Sequence, residues 1–174
     1  MINTGNLVKN TTYKVIIPFY AYAALSFLAA VVLLVLSSRA FGPHYFQPPV
    51  LAVTHTMALG WGTMMILGAS HQLFPVMIEG KLFSNFLAYV SFILAGSGIP
   101  LLICAFYTFN MTWPAQCRAL LINGGILCFL INIIVSLVRS KVKSVHAIFV
   151  VTATFWLLTT TIIGLLLIFN FTYP

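Results

Sequence analysis

The feature that most constrains this chain is an apolar run over residues 50–79, which is long enough to cross a lipid bilayer and contains two histidines. About 20 helical residues are enough to span the hydrocarbon core of a membrane. A histidine in hydrocarbon is costly unless it is paired or ligated, so His55 and His71 are candidate functional residues. The run therefore indicates both a membrane location and a place for chemistry.

Composition supports the membrane interpretation. The chain is 61% hydrophobic and only 5% charged, whereas about a quarter of a soluble domain is charged. The net charge of +7 comes from basic residues scattered near the ends of the apolar runs, where anionic lipids explain them. We therefore predict an integral membrane protein whose partner is the lipid bilayer, and no binding of nucleic acid.

The pattern of apolar runs and breakers predicts an all-α fold with a single transmembrane domain over residues 1–174. Pro48 and Pro49 suit the opening of the second helix, where a missing amide N–H costs nothing. The predicted helices cover about 13–36, 49–78, 83–106, 117–138 and 145–171.

The basic residues predict the orientation. With five spans, six Lys and Arg fall on the side of the N-terminus and two on the other. Basic residues concentrate in cytoplasmic segments. We predict a cytoplasmic N-terminus, an outside C-terminus and a multi-pass protein of a prokaryotic cell (inner) membrane.

The four histidines lie at different depths. His71 follows His55 by 16 residues, roughly 24 Å along a helix, and a regular helix would place the two on opposite sides. His44 belongs to the loop near His55, and His146 starts the fifth helix nearer His71. Two separate tiers of ligands are predicted, with His55 and His71 as the main candidates for holding a metal and His44 and His146 as weaker ones.

Small residues are predicted to lie on the same face of the second helix as His55. Ala58, Gly62 and Ala69 share that side, so either another helix or a flat ligand approaches closely. Small residues favour helix packing in membranes, and a haem ring beside an axial histidine needs the same kind of slot. The spacing leaves both interpretations open.

Residues 54–75, THTMALGWGTMMILGASHQLFP, resemble the second helix of the large subunit (subunit I) of haem-copper oxidases and nitric oxide reductases. His55 matches the axial ligand of the low-spin haem of that family, while Gly68, Ala69 and Pro75 match the end of its helix. The resemblance implies a b-type haem at His55. At His71 the family usually has an aromatic residue, so the resemblance implies no role there.

The chain departs from that family elsewhere. It has no His-Pro-Glu-Val-like motif, no adjacent histidine pair and no His-x-His motif, so one chain does not supply a complete haem-copper site. The large subunit of the family arranges roughly twelve helices as three similar arcs, which a symmetric trimer of short chains would imitate. The expected function is electron transfer or binding of a diatomic gas (O2 or NO) at a His-ligated haem in a homotrimer, with a quinone or a cytochrome as redox partner. Whether the protein is an enzyme stays open.

Two alternatives remain. Imidazole and thioether ligands suit copper, and several methionines share the second helix with both histidines, which would make this a copper-binding or copper-handling protein. A cofactor-free accessory subunit of a respiratory complex is the other alternative. Polar residues of the last two helices are expected to form interhelical hydrogen bonds: Asn123, Asn132, Thr152, Thr154, Thr159, Thr160 and Thr161.

Overall fold

The protein is a bundle of helices in the computed structural model, which describes residues 12–41, 46–142 and 144–172. Within these ranges the regular structure is helical, with no strand. Five helices are long and apolar enough to cross a membrane, as predicted. They are α1 (Tyr13–Leu36), α2 (Pro48–Met77), α3 (Asn85–Tyr107), α4 (Trp113–Arg139) and α5 (Val145–Thr172).

Two helix starts differ from the sequence prediction. Helix α4 begins at Trp113, four residues before the predicted start. Pro114 lies in its first turn, where a residue without an N–H breaks no helical hydrogen bond, so this proline opens the helix and does not delay it. Helix α3 begins two residues late, after Ser84, whose side chain accepts a hydrogen bond from the Leu87 N–H at 3.2 Å.

Helix α2 changes its winding in the middle, which the sequence did not predict. An α-helical part (Pro48–His55) is followed by a π-helical segment (Thr56–Thr63) and a second α-helical part (Met64–Met77). The Thr63 hydroxyl donates to the carbonyl of Ala58, five residues earlier, at 3.0 Å. A π-helix holds more residues per turn than an α-helix. The prediction that His55 and His71 lie on opposite sides assumed the rotation per residue of a regular α-helix. It does not apply across this π-helical segment.

Glycines allow α3 and α4 to approach each other closely. A Cβ atom added to Gly98 of α3 would lie 2.8 Å from Cγ1 of Ile122, and one added to Gly125 of α4 would lie 2.8 Å from the Ala95 backbone nitrogen. Real side chains do not tolerate such distances. Helix contact at these positions therefore requires glycine, as is usual in membrane helix pairs.

Helices α1 and α2 meet in the same way. A Cβ on Gly60 would lie 2.8 Å from Cβ of Ser26, and one on Gly68 would lie 2.9 Å from Cβ of Phe19. Both glycines of α2 thus face α1. The neighbouring helix accounts for these two small residues.

The helices differ in how much of their apolar surface the bundle covers. In the most apolar stretch of α4, 44% of the residues are buried, against 17% in α1 and 11% in α5. Helix α4 is therefore central, and α1 and α5 are peripheral helices whose outer faces are available to lipid or to another protein.

A tyrosine of α1 supplies a hydrogen bond that α3 lacks because of a proline. Pro100 has no N–H, so the carbonyl of Gly96, four residues earlier, loses its helical donor. The Tyr22 hydroxyl of α1 donates to this carbonyl oxygen at 3.0 Å. The bond fixes α1 against α3 near the middle of the bundle.

Candidate ligand site at His55

His55 ends the first α-helical part of α2, immediately before the π-helical segment. Its Nδ1 lies 2.7 Å from the carbonyl oxygen of Leu51, one turn earlier. A carbonyl only accepts hydrogen bonds, so Nδ1 carries the proton and Nε2 of the neutral ring keeps its lone pair. Histidines that bind metals are commonly arranged in this way, with the second ring nitrogen donating to a backbone carbonyl.

The orientation of the His55 ring is also set by an aromatic neighbour. The ring of Phe106, near the end of α3, lies with its centroid 4.1 Å from that of His55, at an interplanar angle of 36°. This contact and the Leu51 hydrogen bond restrict rotation of the imidazole. A ligating nitrogen on this ring would be preorganised.

His55 lines a cavity of about 370 Å³ that lies between α2, α3, α4 and α5. One side of the cavity opens to the surface of the bundle. This volume lies within the range of about 300–1,000 Å³ that is usual for small-molecule sites, which are also mostly apolar. Apart from His55, the lining is mainly aliphatic: Ala58, Leu59, Leu102, Phe106, Ala119, Ile122, Asn123, Thr160, Thr161, Ile163, Gly164, Leu165, Leu167 and Ile168.

Two polar residues on the α4 and α5 wall of the cavity bond to each other, and the hydroxyl of a third, Thr160, donates to the Trp156 carbonyl at 2.8 Å. The Asn123 amide donates to the carbonyls of Ala119 at 2.9 Å and Thr161 at 3.3 Å, and the Thr161 hydroxyl donates to the Asn123 side-chain oxygen at 3.0 Å. The predicted interhelical role is confirmed for Asn123 and Thr161. It is wrong for the other threonines of α5, whose hydroxyls donate to carbonyls one turn earlier in the same helix: Thr152, Thr154, Thr159 and Thr160. Because these donors are engaged, the wall suits a ligand with a largely apolar surface.

The structure brings only one of the predicted small residues into the cavity beside His55. Ala58 lines it, whereas Gly62 and Ala69 do not. The nearest atom to a Cβ built on Gly62 would be the Met57 carbonyl oxygen at 3.4 Å. On the opposite wall, a Cβ on Gly164 of α5 would have nothing within 4 Å, so this glycine leaves open space and not a helix contact.

His71 lies in different surroundings. It is fully buried, and its Nδ1 lies 2.8 Å from the Leu67 carbonyl oxygen. The ring packs between Phe19 of α1, at 5.0 Å between centroids, and Phe129 of α4, at 4.9 Å. His71 does not line the His55 cavity, and the two tiers of ligands remain a prediction.

Of the two weaker predicted ligands, only His146 lies among the described residues, and it joins neither site. His146 is exposed in the first turn of α5, and His44 lies outside the described residues. In the part of the chain that the structure describes, no three His, Cys, Asp or Glu side chains form a group suited to a metal ion.

Two of the cavity residues could not have been identified from the sequence. Phe106 is one of fifteen phenylalanines, and Gly164 is one of eleven glycines. Their roles arise because α3 and α5 form walls of the cavity that His55 lines. Only the threonine-rich stretch that includes Thr161 gave a signal, as a source of interhelical hydrogen bonds.

Comparison with known proteins adds no assignment, since no family model, curated protein or solved structure matches the chain.

Proposed function

We propose that this protein binds a b-type haem in the cavity beside His55, with His55 Nε2 as an axial ligand, and serves electron transfer or the binding of a diatomic gas. The observation that carries the proposal is the His55 ring itself, whose Nδ1 donates to Leu51 at 2.7 Å in a mostly aliphatic cavity. The resemblance of residues 54–75 to the second helix of the oxidase large subunit supports the choice of haem.

Two features of the lining support the choice of haem. A haem needs a neutral imidazole and an apolar slot, and the cavity supplies both through His55 and its aliphatic walls. Ala58 has a small side chain and Gly164 has none, so both leave space for a ligand at the walls of the cavity. When bound, the haem iron would supply one-electron chemistry or a site for O2 or NO. The chain itself would hold the ligating ring, exclude water and set the polarity around it.

The direct test is the visible absorption spectrum of detergent-purified protein, oxidised and then reduced with dithionite, together with the haem content per chain. We expect a Soret band that shifts on reduction in the native protein and is lost in His55→Ala. His146→Ala is the matched control, because this histidine is exposed, and it should keep the band.

Each other outcome has a definite meaning. A colourless native protein, made with ample haem supply, would end the haem proposal. Bound copper without a Soret band would indicate the copper-handling alternative. Neither cofactor, with co-purification of a larger respiratory complex, would indicate an accessory subunit.

A second variant tests the cavity and not the ligand. Gly164→Leu adds a side chain where a Cβ has open space, so the fold should tolerate it while the cavity becomes smaller. We expect the haem content to fall several-fold while the melting temperature of the haem-free protein stays unchanged. Unchanged haem content would place the haem outside this cavity.

The assembly that we propose is a homotrimer, imitating the three arcs of the oxidase subunit. The largely uncovered apolar faces of α1 and α5 are available for contact between copies. The protein mass in mild detergent, from light scattering or native mass spectrometry, tests this. A monomeric or dimeric mass contradicts the trimer without affecting the test of haem binding.

The orientation that we propose places the N-terminus in the cytoplasm of a prokaryotic cell, with the protein in its inner membrane. The bias of six basic residues against two supports it, because basic residues concentrate in cytoplasmic segments. Reporter fusions at the two termini test it: an alkaline phosphatase fused to the C-terminus should be active, and one fused to the N-terminus inactive. The redox partner that we propose is a quinone or a small cytochrome.

A further inference from the structure

A second cavity, of about 420 Å³, lies at the end of the bundle that carries the α2–α3 and α4–α5 connections. It is formed between the turn after α2 and the C-terminal end of α4. Two of its lining residues, Lys81 and Arg139, are cationic, and none is acidic; Glu79 is not part of the lining. The uncharged lining residues are Ile78, Gly80, Leu82, Phe83, Ser136 and Ser140.

Hydrogen bonds join the two sides of this cavity. The Phe83 N–H donates to the Ser136 hydroxyl at 2.8 Å, and the Ser140 hydroxyl donates to the Ile78 carbonyl at 2.6 Å. Just beyond the cavity, the Ser84 N–H donates to the Asn132 side-chain oxygen at 3.0 Å, and the Asn132 amide donates back to the Ser84 carbonyl at 2.9 Å. The turn is thus bonded to α4 at several points, and these hydrogen bonds hold the two sides of the cavity in place.

The Arg139 side chain is positioned within this cavity. Its guanidinium carbon lies 4.4 Å from the centroid of the Phe83 ring, which is a cation–π contact. A guanidinium held over a ring still has its N–H donors at its edge, and their planar arrangement matches the oxygens of a phosphate. Lys81 is exposed and adds a second charge with three donors.

We propose that this cavity binds a phosphate group, carried either by an anionic phospholipid or by a soluble ligand. Both cations lie where membrane helices end, at the level of lipid headgroups, and basic pockets between membrane helices bind such groups. The proposal is independent of haem binding, because the cavity shares no residue with the one at His55.

The test is binding of phosphatidylglycerol, compared with zwitterionic phosphatidylcholine, to the detergent-purified full chain by native mass spectrometry. We expect preference for phosphatidylglycerol, which Lys81→Gln and Arg139→Gln should each weaken about fivefold and the double variant roughly 25-fold. Lys141→Gln is the matched control, since Lys141 is a nearby exposed cation outside the lining. Without contact to the bound phosphate its charge is screened by solvent and salt, so this change should alter binding less than about twofold. Because Lys81 has no packing role, Lys81→Gln keeps the test valid if Arg139→Gln fails to fold.

Competition with inorganic phosphate separates the two sources. Retention of the lipid in excess phosphate assigns the site to a phospholipid, and displacement, together with direct binding of phosphate, assigns it to a soluble phosphate-bearing ligand. Equal binding of both lipids with no binding of phosphate overturns the proposal. An equal loss in Lys141→Gln and Lys81→Gln also overturns it, since general surface charge would then explain the binding.

Discussion

His55 and His71 lie on the same helix and make the same local hydrogen bond, yet their surroundings are different. Each Nδ1 donates to the carbonyl four residues earlier, at 2.7 Å in His55 and 2.8 Å in His71. His55 lines a cavity among four helices, while His71 is fully buried between Phe19 and Phe129. The backbone carbonyl one helical turn earlier sets the tautomer of both rings, and the packing of the other helices decides which ring has space for a ligand.

The aromatic surroundings of His71 extend through α1 and α3. Phe19 also contacts Phe92, at 5.1 Å between centroids, and Phe92 contacts Tyr22 at 6.1 Å. His71 is therefore part of a continuous aromatic cluster, defined here as Tyr22, Phe92, Phe19, His71 and Phe129. This cluster is part of the hydrophobic core, so substitutions in it should lower the free energy of unfolding.

The largest expected difference is between His71→Ala and His55→Ala in stability. Truncation of a fully buried ring leaves a cavity, so His71→Ala should lower the free energy of unfolding by about 2–5 kcal/mol. His55→Ala enlarges an existing cavity and removes one hydrogen bond, so it should cost only about 1 kcal/mol in the haem-free protein. Unfolding in mixed micelles, followed by circular dichroism, measures both. Equal losses would mean that the two surroundings are not distinct.

A smaller difference is expected between two glycines, one packed and one open. In Gly98→Ala the new Cβ would lie 2.8 Å from Ile122 Cγ1 and 2.9 Å from the Arg118 carbonyl oxygen, and overpacking of this kind costs about 1–3 kcal/mol. In Gly164→Ala the new Cβ meets nothing within 4 Å, so the change should stay within about 0.5 kcal/mol. Thermal melting in detergent compares the two. A stable Gly98→Ala variant would contradict the close approach of α3 and α4.

The smallest effect is expected at the edge of the aromatic cluster. Tyr22→Phe keeps the ring but removes the 3.0 Å hydrogen bond to the Gly96 carbonyl, and single bonds of this kind between membrane helices contribute about 0.6 kcal/mol. In Pro100→Ala the regained N–H can serve that carbonyl, so Tyr22→Phe should then cost less. A double-mutant cycle measures this coupling, and strictly additive effects would show that the tyrosine does not compensate for the proline.

The sequence was sufficient for the number of spanning helices and for the start of α2, because both depend on local features. Apolar length determined the spans, and Pro48 and Pro49 lie in the first turn of α2, where prolines are tolerated. The π-helical segment depends on hydrogen bonds between residues five apart, such as Thr63 to Ala58, and no composition rule distinguishes it from an α-helix.

The candidate site was less accessible to sequence reasoning. His55 stood out because a histidine is costly in hydrocarbon, and Ala58 lines its cavity as the spacing suggested. Gly62 and Ala69 do not line it, partly because the π-helical segment alters the direction of residues beyond Ala58. Phe106 and Gly164 reach the site from other helices, which only the packing of the bundle determines.

Chemical rescue of His55→Gly tests most directly that the His55 imidazole is the haem ligand. Substitution by glycine removes the ring and leaves space for free imidazole, which can supply the same nitrogen to the iron. We predict that His55→Gly loses the Soret band and that added imidazole restores it, while His146→Gly keeps the band without imidazole. A His55→Gly protein that retains the native spectrum with no imidazole present would contradict the assignment.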